Sequence, residues 1–333
     1  MAKTYSFLTV DDPVDVNFAA MQNIPSFTNL LGINDKGLIA GFYGSGNAGD
    51  PNQGFLLTLP GTFTPEEFPA SSQNPVTAAE VLQTQLTGLN DKGIVVGYFY
   101  NTNNGIPVDN QFGFFERNGV FTEVNNPNTP GLFGNPPPNS GVLIENQLIG
   151  VNDHDIAVGF YNDASGDSHG YTYDIKTGKF SANIDDPNAL NGGGSTVTAA
   201  INNKGTIVGF YTDTGPTTAA GAVIQGFLDK NGVFTTVDAP GATETELLGL
   251  NDHGIAVGFD IVNGVTHGII YNTKTGTFIT LDDPNASGST IFNGINDKGD
   301  VVGFYTDAAG NTHGLLATPH DLVKMVGIMD HHV

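Results

Sequence analysis

The groups in this sequence that could carry out chemistry are mainly carboxyl groups, because the chain contains no cysteine. General acid–base catalysis needs a carboxyl group with a raised pKa beside a second one that stays ionised. Candidates for such a pair are the glutamates in crossovers and at the starts of predicted strands, Glu67, Glu80, Glu145, Glu244 and Glu246. No Gly-x-Ser-x-Gly elbow, paired-histidine zinc motif, P-loop or dinucleotide fingerprint occurs in the chain, so a catalytic site would have to be assembled from several segments.

A second set of residues is typical of ligand binding. Tyrosines recur at the ends of predicted strands, one aspartate takes the equivalent place, and amides or a glutamate recur near the starts of other strands. Aromatic rings beside carboxylates suit a sugar or a cation, and amides can orient a small ligand. The predicted ligand-binding residues are Tyr43, Gln85, Gln147, Tyr161, Tyr211, Glu246, Asp260 and Tyr305. The alternative interpretation of the tyrosines is ordinary packing between repeats.

Two short loops offer oxygen ligands for a cation, Asp163 to Asp167 and Asp307 to Asn311. Neither has the ligand spacing of a calcium-binding loop, and both also read as hairpin turns. Histidines begin equivalent strands in three different repeats, too far apart to share one ion: His169, His267 and His313. We therefore predict no metal site and leave the cofactor unassigned, with Ca²⁺ as the one candidate.

One phrase, of the form Gly-Ile-Asn-Asp-Lys-Gly, recurs along the whole chain. Its copies lie 45 to 62 residues apart and are centred on Asn34, Asn90, Asn152, Asn202, Asn251 and Asn296. This period is too long for a solenoid coil and is typical of a four-stranded β-propeller blade with its loops. Because the asparagine recurs in every copy, we expect its side chain to bond the adjoining turn. A cap on backbone donors is expected for the equally regular position before each crossover, Asp11, Glu67, Asn125, Asp185, Asp238 and Asp282.

The chain ends complement one another. The sequence stops after a third-strand signal, and the segment from Phe7 to Pro13 matches the fourth-strand phrase from Phe278 to Pro284. We therefore predict an all-β fold, a six-bladed β-propeller of four-stranded antiparallel blades whose ring is closed by the N-terminal strand joining the last blade. Such closure removes open sheet edges. The propeller is expected to span residues 1–318, followed by a C-terminal tail of residues 319–333, and helical periodicity is absent outside that tail.

The repeats resemble the bacterial and archaeal family of exported HAF repeat proteins, whose consensus pairs a Gly-Ile-Asn-x-x-Gly hairpin with a His-Ala-Phe strand. Here that strand begins as His169-Gly170-Tyr171, His267-Gly268-Ile269 and His313-Gly314-Leu315, and as Gln-Gly-Phe or Phe-Gly-Phe in the other repeats. The alanine is missing throughout and the histidine in half of the repeats. The resemblance covers nearly the whole chain and implies the propeller fold and an extracellular setting. It implies no particular reaction.

The net charge of −23 is distributed unevenly over the predicted ring. We call the end with the turns between first and second strands and between third and fourth strands the lower face, and the opposite end the upper face. All basic residues fall on the lower face or in the termini, so the upper face is predicted to be acidic. It would repel nucleic acid and anionic membranes and would attract a small molecule, a glycan or a cationic peptide. Solubility alone is the alternative explanation of this charge.

A secreted or periplasmic location is expected, although residues 1–17 read as a blade strand and lack the pattern of a signal peptide. No apolar run is long enough for insertion into a membrane.

Long loops of unequal length, residues 44–53, 101–111 and 125–147, are expected on the upper face, where loops on a rigid scaffold often form sites. Two functions remain open. The first is a binding propeller that captures a ligand on its acidic upper face, and the second is a hydrolase or lyase with a carboxylate-containing pocket at the upper end of the central channel. A purely structural or assembly role is the third possibility.

Overall fold

The computed structural model describes residues 3–46, 50–69, 81–103, 106–132, 135, 143–189, 195–213 and 223–321. The C-terminal tail from residue 322 onward and the candidate glutamate Glu80 lie outside this range. Within it, no helix is long and apolar enough to cross a membrane.

The described residues form an all-β fold with one helix. The strands of its first half are β1 Lys3–Val10, β2 Thr28–Ile33, β3 Leu38–Tyr43, β4 Gln53–Thr58, β5 Thr62–Pro65, β6 Val81–Leu89, β7 Ile94–Asn103, β8 Ile106–Arg117, β9 Val120–Val124, β10 Asn146–Val151, β11 Ile156–Asn162, β12 Ser168–Asp174 and β13 Lys179–Phe180. Those of its second half are β14 Thr196–Ile201, β15 Thr206–Asp213, β16 Val223–Lys230, β17 Val233–Val237, β18 Glu244–Leu250, β19 Ile255–Val262, β20 Val265–Asn272, β21 Thr277–Thr280, β22 Ser289–Ile295, β23 Val301–Thr306 and β24 Thr312–Asp321. The helix is α1, Pro13–Gln22.

The strands pair in antiparallel groups of four, which we call sets. Sets 1, 2 and 3 are separate sheets, β2–β5, β6–β9 and β10–β13. Sets 4, 5 and 6 are β14–β17, β18–β21, and β22–β24 with β1, and they belong to one mixed sheet of twelve strands. Single parallel bridges join these three sets, Ile224 with Glu244 and Thr266 with Ser289. The larger sheet is therefore three antiparallel groups linked at one point each.

The two ends of the chain meet in set 6. Strand β1 pairs with β24 along its whole length, from Lys3 opposite Asp321 to Val10 opposite Gly314. The first strand of every set also contacts the first strand of the next, and β22 contacts β2. The first strands are therefore mutual neighbours around a common centre.

Each first strand contains a bulge, and glycine makes the close approach there feasible. Opposite the bulge in set 3, a Cβ on Gly159 would lie 1.9 Å from the backbone oxygen of Gln147. Between sets, a Cβ on Gly88 would lie 2.6 Å from the oxygen of Ile149 and 3.2 Å from the Cα of Gly150. Backbones thus approach one another closely near the centre, which glycine favours in five of the six sets, whereas set 4 has Ala200 at this position.

The hydrophobic core lies between adjacent sets. Leu86, Phe99 and Phe114 of set 2 pack with Ala40 of set 1 in one cluster, and all four are fully buried. Burial of a Phe side chain contributes about 2 kcal/mol. Because each set buries a face on its neighbour, the fold needs no single large core.

The N-terminal segment departs from the expectation that residues 1–17 form a strand and that no helix precedes the tail. The strand ends at Val10, and α1 begins at Pro13 with the Asp12 side chain accepting from the Val14 backbone N–H at 2.7 Å. An Asp cap followed by proline at the first helical position is a helix start. The missing periodicity has a physical reason, because the apolar residues of the helix are mostly exposed, for example Val14 and Met21.

The helix is tied to set 1 through Asp15, which is buried. Its Oδ2 accepts from the Phe27 backbone N–H at 2.8 Å and from the Thr28 hydroxyl at 3.1 Å. At the other end of the chain, β24 continues to Asp321, so the boundary predicted at residue 318 falls inside a strand.

Candidate functional site

The repeated asparagine links each set to the next on the lower face. In set 4, Asn202 Oδ1 accepts from the backbone N–H groups of Lys204 and Thr206 at 3.0 and 3.1 Å, and its Nδ2 donates to the backbone oxygen of Asn251 at 3.1 Å. The contact between successive asparagines recurs from Asn34 through Asn296 and back to Asn34. The residue therefore shapes its own turn and also clamps the neighbouring set.

The residue after each asparagine forms a second ring. The backbone N–H of each donates to the side-chain oxygen of its counterpart in the next set, at 2.7 to 2.9 Å, among Asp35, Asp91, Asp153, Asn203, Asp252 and Asp297. Asn203 is the one amide among them, and its Nδ2 bonds both Asp153 and Asp252. Burial, followed by the nearby carboxylates of Asp35 and Asp153, raises the pKa of Asp91.

These two rings enclose a cup of about 100 Å³ at the centre of the lower face. A second space of about 80 Å³ lies around the bulges and is lined in part by Leu31, Thr87, Ile149, Ala199, Leu248 and Asn293. Most of these residues are apolar, in contrast to the acidic residues of the cup. One side-chain oxygen of each second-ring residue of the cup accepts a backbone hydrogen bond from the neighbouring set. No group of three or more His, Cys, Asp or Glu residues in the described part of the chain could hold a metal ion.

One polar position of the first strands fastens the crossovers. In set 6, the backbone N–H of Asp283 donates to the Thr290 hydroxyl at 3.1 Å. The same contact is made by Thr28, Thr84, Asn146, Thr196 and Thr245. These side chains are fully buried, so they hold the preceding crossover and do not surround a channel.

The next residue of each first strand lies on the other side of the sheet, because side chains alternate along a strand. These residues form what we call the upper ring: Asn29, Gln85, Gln147, Val197, Glu246 and Ile291. Each is paired across the sheet with an aromatic residue of the second strand, Phe42, Tyr98, Phe160, Phe210, Phe259 and Phe304. The ring combines amides on sets 1 to 3 with apolar side chains and one carboxyl group on sets 4 to 6.

Glu246 is the one ionisable member of the upper ring. Burial, followed by the adjacent carboxylate of Glu244, raises the pKa of Glu246. Its ring neighbours on either side are Val197 and Ile291, which supply no charge that would favour ionisation. The raised pKa favours the protonated form of the Glu246 carboxyl group, which can donate a hydrogen bond.

The amides of the upper ring are positioned in two ways. The Tyr98 hydroxyl donates to Gln85 Oε1 at 2.5 Å, and Gln147 Nε2 donates to Gln111 Oε1. Asn29 is buried, and its Oδ1 has no hydrogen-bond partner in the described part of the chain. A buried acceptor without a partner is unfavourable by about 1–3 kcal/mol, so Asn29 differs from the two hydrogen-bonded glutamines of the ring.

Glu145 lies on the same face as these amides. Its Oε2 accepts a hydrogen bond from Asn162 Nδ2, and burial raises the pKa of Glu145. Glu67 lies farther out, in the crossover between sets 1 and 2. Its side chain is exposed as a whole, but burial of the carboxyl group raises the pKa of Glu67, while hydrogen bonds with Thr84 and Gly54 act in the opposite direction. The structure therefore brings Glu244 and Glu246 together and leaves Glu67 apart from them.

The predicted tyrosines pack within the sets. Tyr161, Tyr211 and Tyr305 are buried, and their hydroxyl groups bond Asn183, Gln225 and Thr9. The less buried Tyr43 bonds Gln53 at 2.7 Å. These side chains offer little surface to a ligand. Asp260, in the equivalent place of set 5, is buried as well.

The histidines and the candidate cation loops form local contacts. His313 Nδ1 lies 2.8 Å from Asp11 and its Nε2 lies 3.3 Å from Asp307. Asp307 Oδ1 accepts from the backbone N–H groups of Ala309 and Asn311, and Asp163 caps its own loop in the same way. These carboxylates therefore have roles as turn caps and histidine partners.

Sequence reasoning missed the carboxylate ring of the lower face, because only basic residues had been assigned to those turns. It also missed the aromatic row of the upper ring. The available signal was the pattern of the second strands, in which the residue after the glycine is always aromatic, as in Gly41-Phe42-Tyr43. The expanded loops expected beside the ring, residues 44–53, 101–111 and 125–147, lie partly outside the described residues.

Neither the family models nor the curated proteins include a match to this chain. Solved structures include similar folds at low identity. The putative TolB from Agrobacterium tumefaciens is 11% identical, with 97% of this chain and 100% of that chain covered and a TM-score of 0.50. AofleA from Arthrobotrys oligospora is 11% identical, covering 95% and 86%, with a TM-score of 0.50. The β-propeller domain of the Trilobed protease from Pyrococcus furiosus is 11% identical, covering 88% and 82%, with a TM-score of 0.49. At these identities the likenesses to the putative TolB and to AofleA concern the fold alone and carry no function.

Proposed function

We propose that this chain is a six-bladed, closed β-propeller that binds an uncharged saccharide at its upper ring. Closure is supported by the pairing of β1 with β24 and by the circle of asparagine contacts that returns from Asn296 to Asn34. An exported location forms part of the proposal, and it rests on the resemblance to exported repeat proteins.

The observation that carries the binding function is the chemistry of the upper ring. It holds amides at Asn29, Gln85 and Gln147 and a carboxyl group at Glu246 whose pKa is raised by burial and by the adjacent Glu244. The ring thus presents donors and acceptors, and its one carboxyl group is biased towards the neutral form. The paired aromatic row supplies apolar surface beside these polar groups. Ligand sites typically combine such apolar walls with a few placed polar groups.

A saccharide fits this combination better than a cation does. Its hydroxyl groups both donate and accept, so they can pair both with amide groups and with a protonated carboxyl group. A cation would gain its largest stabilisation from an ionised carboxylate, which the raised pKa of Glu246 disfavours. A site of buried polar groups also rejects ligands that leave those groups unpaired.

The proposal is tested by saturation-transfer NMR against a panel of neutral mono- and oligosaccharides at pH 7, followed by calorimetry on any that bind. Val197→Tyr, which adds a ring to the upper ring, is expected to weaken binding at least tenfold. The matched control is Val233→Tyr on the outer strand β17, where Val233 is 67% exposed. Binding by no member of the panel, or equal binding by the two variants, would contradict the proposal.

The Glu244–Glu246 pair also favours a second candidate, a hydrolase or lyase. Two adjacent carboxyl groups, one with a raised pKa, match the requirement for an acid and a base. In that case a bound saccharide would be converted to product, and Glu246→Gln would abolish turnover while leaving binding measurable. A stable bound saccharide with no product after prolonged incubation would support binding alone.

A further inference from the structure

Set 5 differs from the other sets in the place where they bury an aromatic residue. The second-strand residue opposite the crossover threonine or asparagine is tyrosine in sets 1, 3, 4 and 6 and Phe99 in set 2. In set 5 it is Asp260, opposite Thr245. An aspartate is much smaller than a phenol, so Asp260 cannot fill the position that the ring occupies in the other sets.

Asp260 is unusual in its own contacts. Its side chain is only 4% exposed, and its Oδ1 has no hydrogen-bond partner among the described residues. It lies directly across the strand pair from His267. Burial raises the pKa of Asp260, while the nearby His267 lowers it. Buried polar groups are nearly always hydrogen-bonded, so this carboxylate lacks a donor that a ligand could provide.

Set 5 also lacks the tyrosine ring that packs against the third-strand histidine in other sets. In sets 3 and 6 a tyrosine ring lies against the histidine, with centroids 5.3 Å apart for Tyr161 and His169 and 5.0 Å apart for Tyr305 and His313. In those sets a loop aspartate approaches the histidine Nε2 as well.

In set 5 the corresponding loop is the hairpin of Asn263 and Gly264, both with positive φ, and it carries no carboxylate. Set 5 therefore lacks both the ring and the loop aspartate.

Exposure of the histidine pair reflects these two losses. The His267 side chain is 26% exposed, against 16% for His169 and 17% for His313. Its partner Asp282, whose Oδ2 lies 2.8 Å from His267 Nδ1, is 40% exposed, against 24% and 21% for the equivalent Asp185 and Asp11. The same structural element is thus closed in sets 3 and 6 and open in set 5.

From this geometry we propose that Asp260, His267 and Asp282 form a niche for a guanidinium group, such as the side chain of an arginine in a bound peptide. The guanidinium plane takes the place of the missing tyrosine ring against the imidazole of His267, and its N–H groups donate to the carboxylates of Asp260 and Asp282. Guanidinium groups stack on planar rings and form directed hydrogen bonds with carboxylates, which an ammonium group does less well. The niche is separate from the upper ring, because Thr245 and Asp260 lie on the opposite side of the sheet from Glu246.

The test uses acetyl-arginine amide as the probe and follows the imidazole NMR signals of His267, His169 and His313 at constant ionic strength. The signals of His267 are expected to shift saturably, while those of His169 and His313, which are covered by tyrosines, stay in place. Free L-arginine is run in parallel, since stronger binding of the amide indicates a peptide as the source of the guanidinium group and stronger binding of the free amino acid indicates a metabolite.

Asp260→Tyr is the decisive variant, because it restores the residue of the other sets and fills the niche with its own ring. It is expected to fold and to lower the affinity for acetyl-arginine amide at least tenfold. Asp260→Asn keeps the shape and removes the charge, and it should weaken binding as well; it also serves if the tyrosine variant does not fold.

Four results would overturn the proposal. They are equal shifts of all three histidines, no saturable shift of His267, equal binding of acetyl-lysine amide, and tighter binding of acetyl-tyrosine amide.

Discussion

The clamp formed by the repeated asparagine predicts a specific loss of stability in Asn202→Ala. The substitution removes two acceptor bonds to the turn, from Lys204 N and Thr206 N, and one donor bond to the oxygen of Asn251. A net contribution of about 1 kcal/mol for each hydrogen bond gives a loss of about 3 kcal/mol. The site is buried, so water cannot readily replace these partners.

Asn202→Asp tests the contact between sets independently of the hydrogen bonds within the turn. It keeps the acceptor for the two turn N–H groups but places a carboxylate oxygen where Nδ2 donated to Asn251 O. We expect a loss of about 1–3 kcal/mol at neutral pH. The loss should shrink at low pH, because a protonated carboxyl group can again donate to that oxygen.

Urea unfolding followed by fluorescence of the tyrosines, together with hydrogen exchange of the Thr206 amide, measures both effects. Asn285→Ala, at an exposed crossover residue, is the control and should lie within about 0.5 kcal/mol of the wild type. A stability of Asn202→Ala equal to that of the control would refute the clamp. A stability of Asn202→Asp equal to that of the wild type at pH 7 would refute its contact with the next set.

Three further predictions concern packing and ionisation. Gly88→Ala should destabilise the fold by about 2 kcal/mol through overpacking, since the added Cβ would meet Ile149 O at 2.6 Å. Ala200→Gly, at the equivalent position of set 4, should lower the stability by at most about 1 kcal/mol. Similar urea midpoints for the two variants would contradict the close approach. Burial alone would lower the pKa of His313, but the carboxylates of Asp11 and Asp307 raise it. The stability that this histidine adds is therefore fully present below its unfolded pKa of about 6.5 and is lost as pH rises through the folded value. The stability advantage of the wild type over His313→Gln should shrink as pH rises above about 6.5, and a constant advantage in urea titrations would count against this prediction. Because the pKa of Glu246 is raised, the folded state retains a proton that the unfolded state has released above about pH 4.3. Glu246→Gln should therefore be more stable than the wild type at pH 8, and this advantage should decrease towards pH 4. A variant less stable than the wild type at pH 8 would argue that the carboxyl group is ionised.

The strands could be predicted from the sequence because one pattern is written in every repeat. The asparagine phrase, the glycines after it and the alternating apolar residues all agree on a hairpin, and such agreement is what makes a local prediction reliable. The helix at Pro13 could not be predicted in the same way. Its buried residues Asp15 and Ala19 are few, so its only signal was the cap formed by Asp12 and Pro13.

The candidate site was predictable only in part. Gln85, Gln147 and Glu246 were predicted as polar residues near the starts of first strands, and they lie at equivalent positions of β6, β10 and β18. Their separation from the fully buried Thr245 and its equivalents depends on which side of the sheet each residue faces, and the bulge in every first strand shifts that register. The ring of Asp35 and its equivalents depends on contacts between residues about 50 positions apart, which a local pattern does not encode.

The most direct test of the central claim is a pH titration of the glutamate side-chain carboxyl signals by carbon NMR, with Glu246→Gln for assignment. We predict one carboxyl group that titrates well above the ordinary glutamate value of about 4.3, that is missing in the variant, and whose apparent pKa rises further when a neutral saccharide binds the protonated form. If Glu246 instead titrates near the ordinary value and is unaffected by every saccharide of the panel, the upper ring is charged at neutral pH and the proposed binding site is wrong.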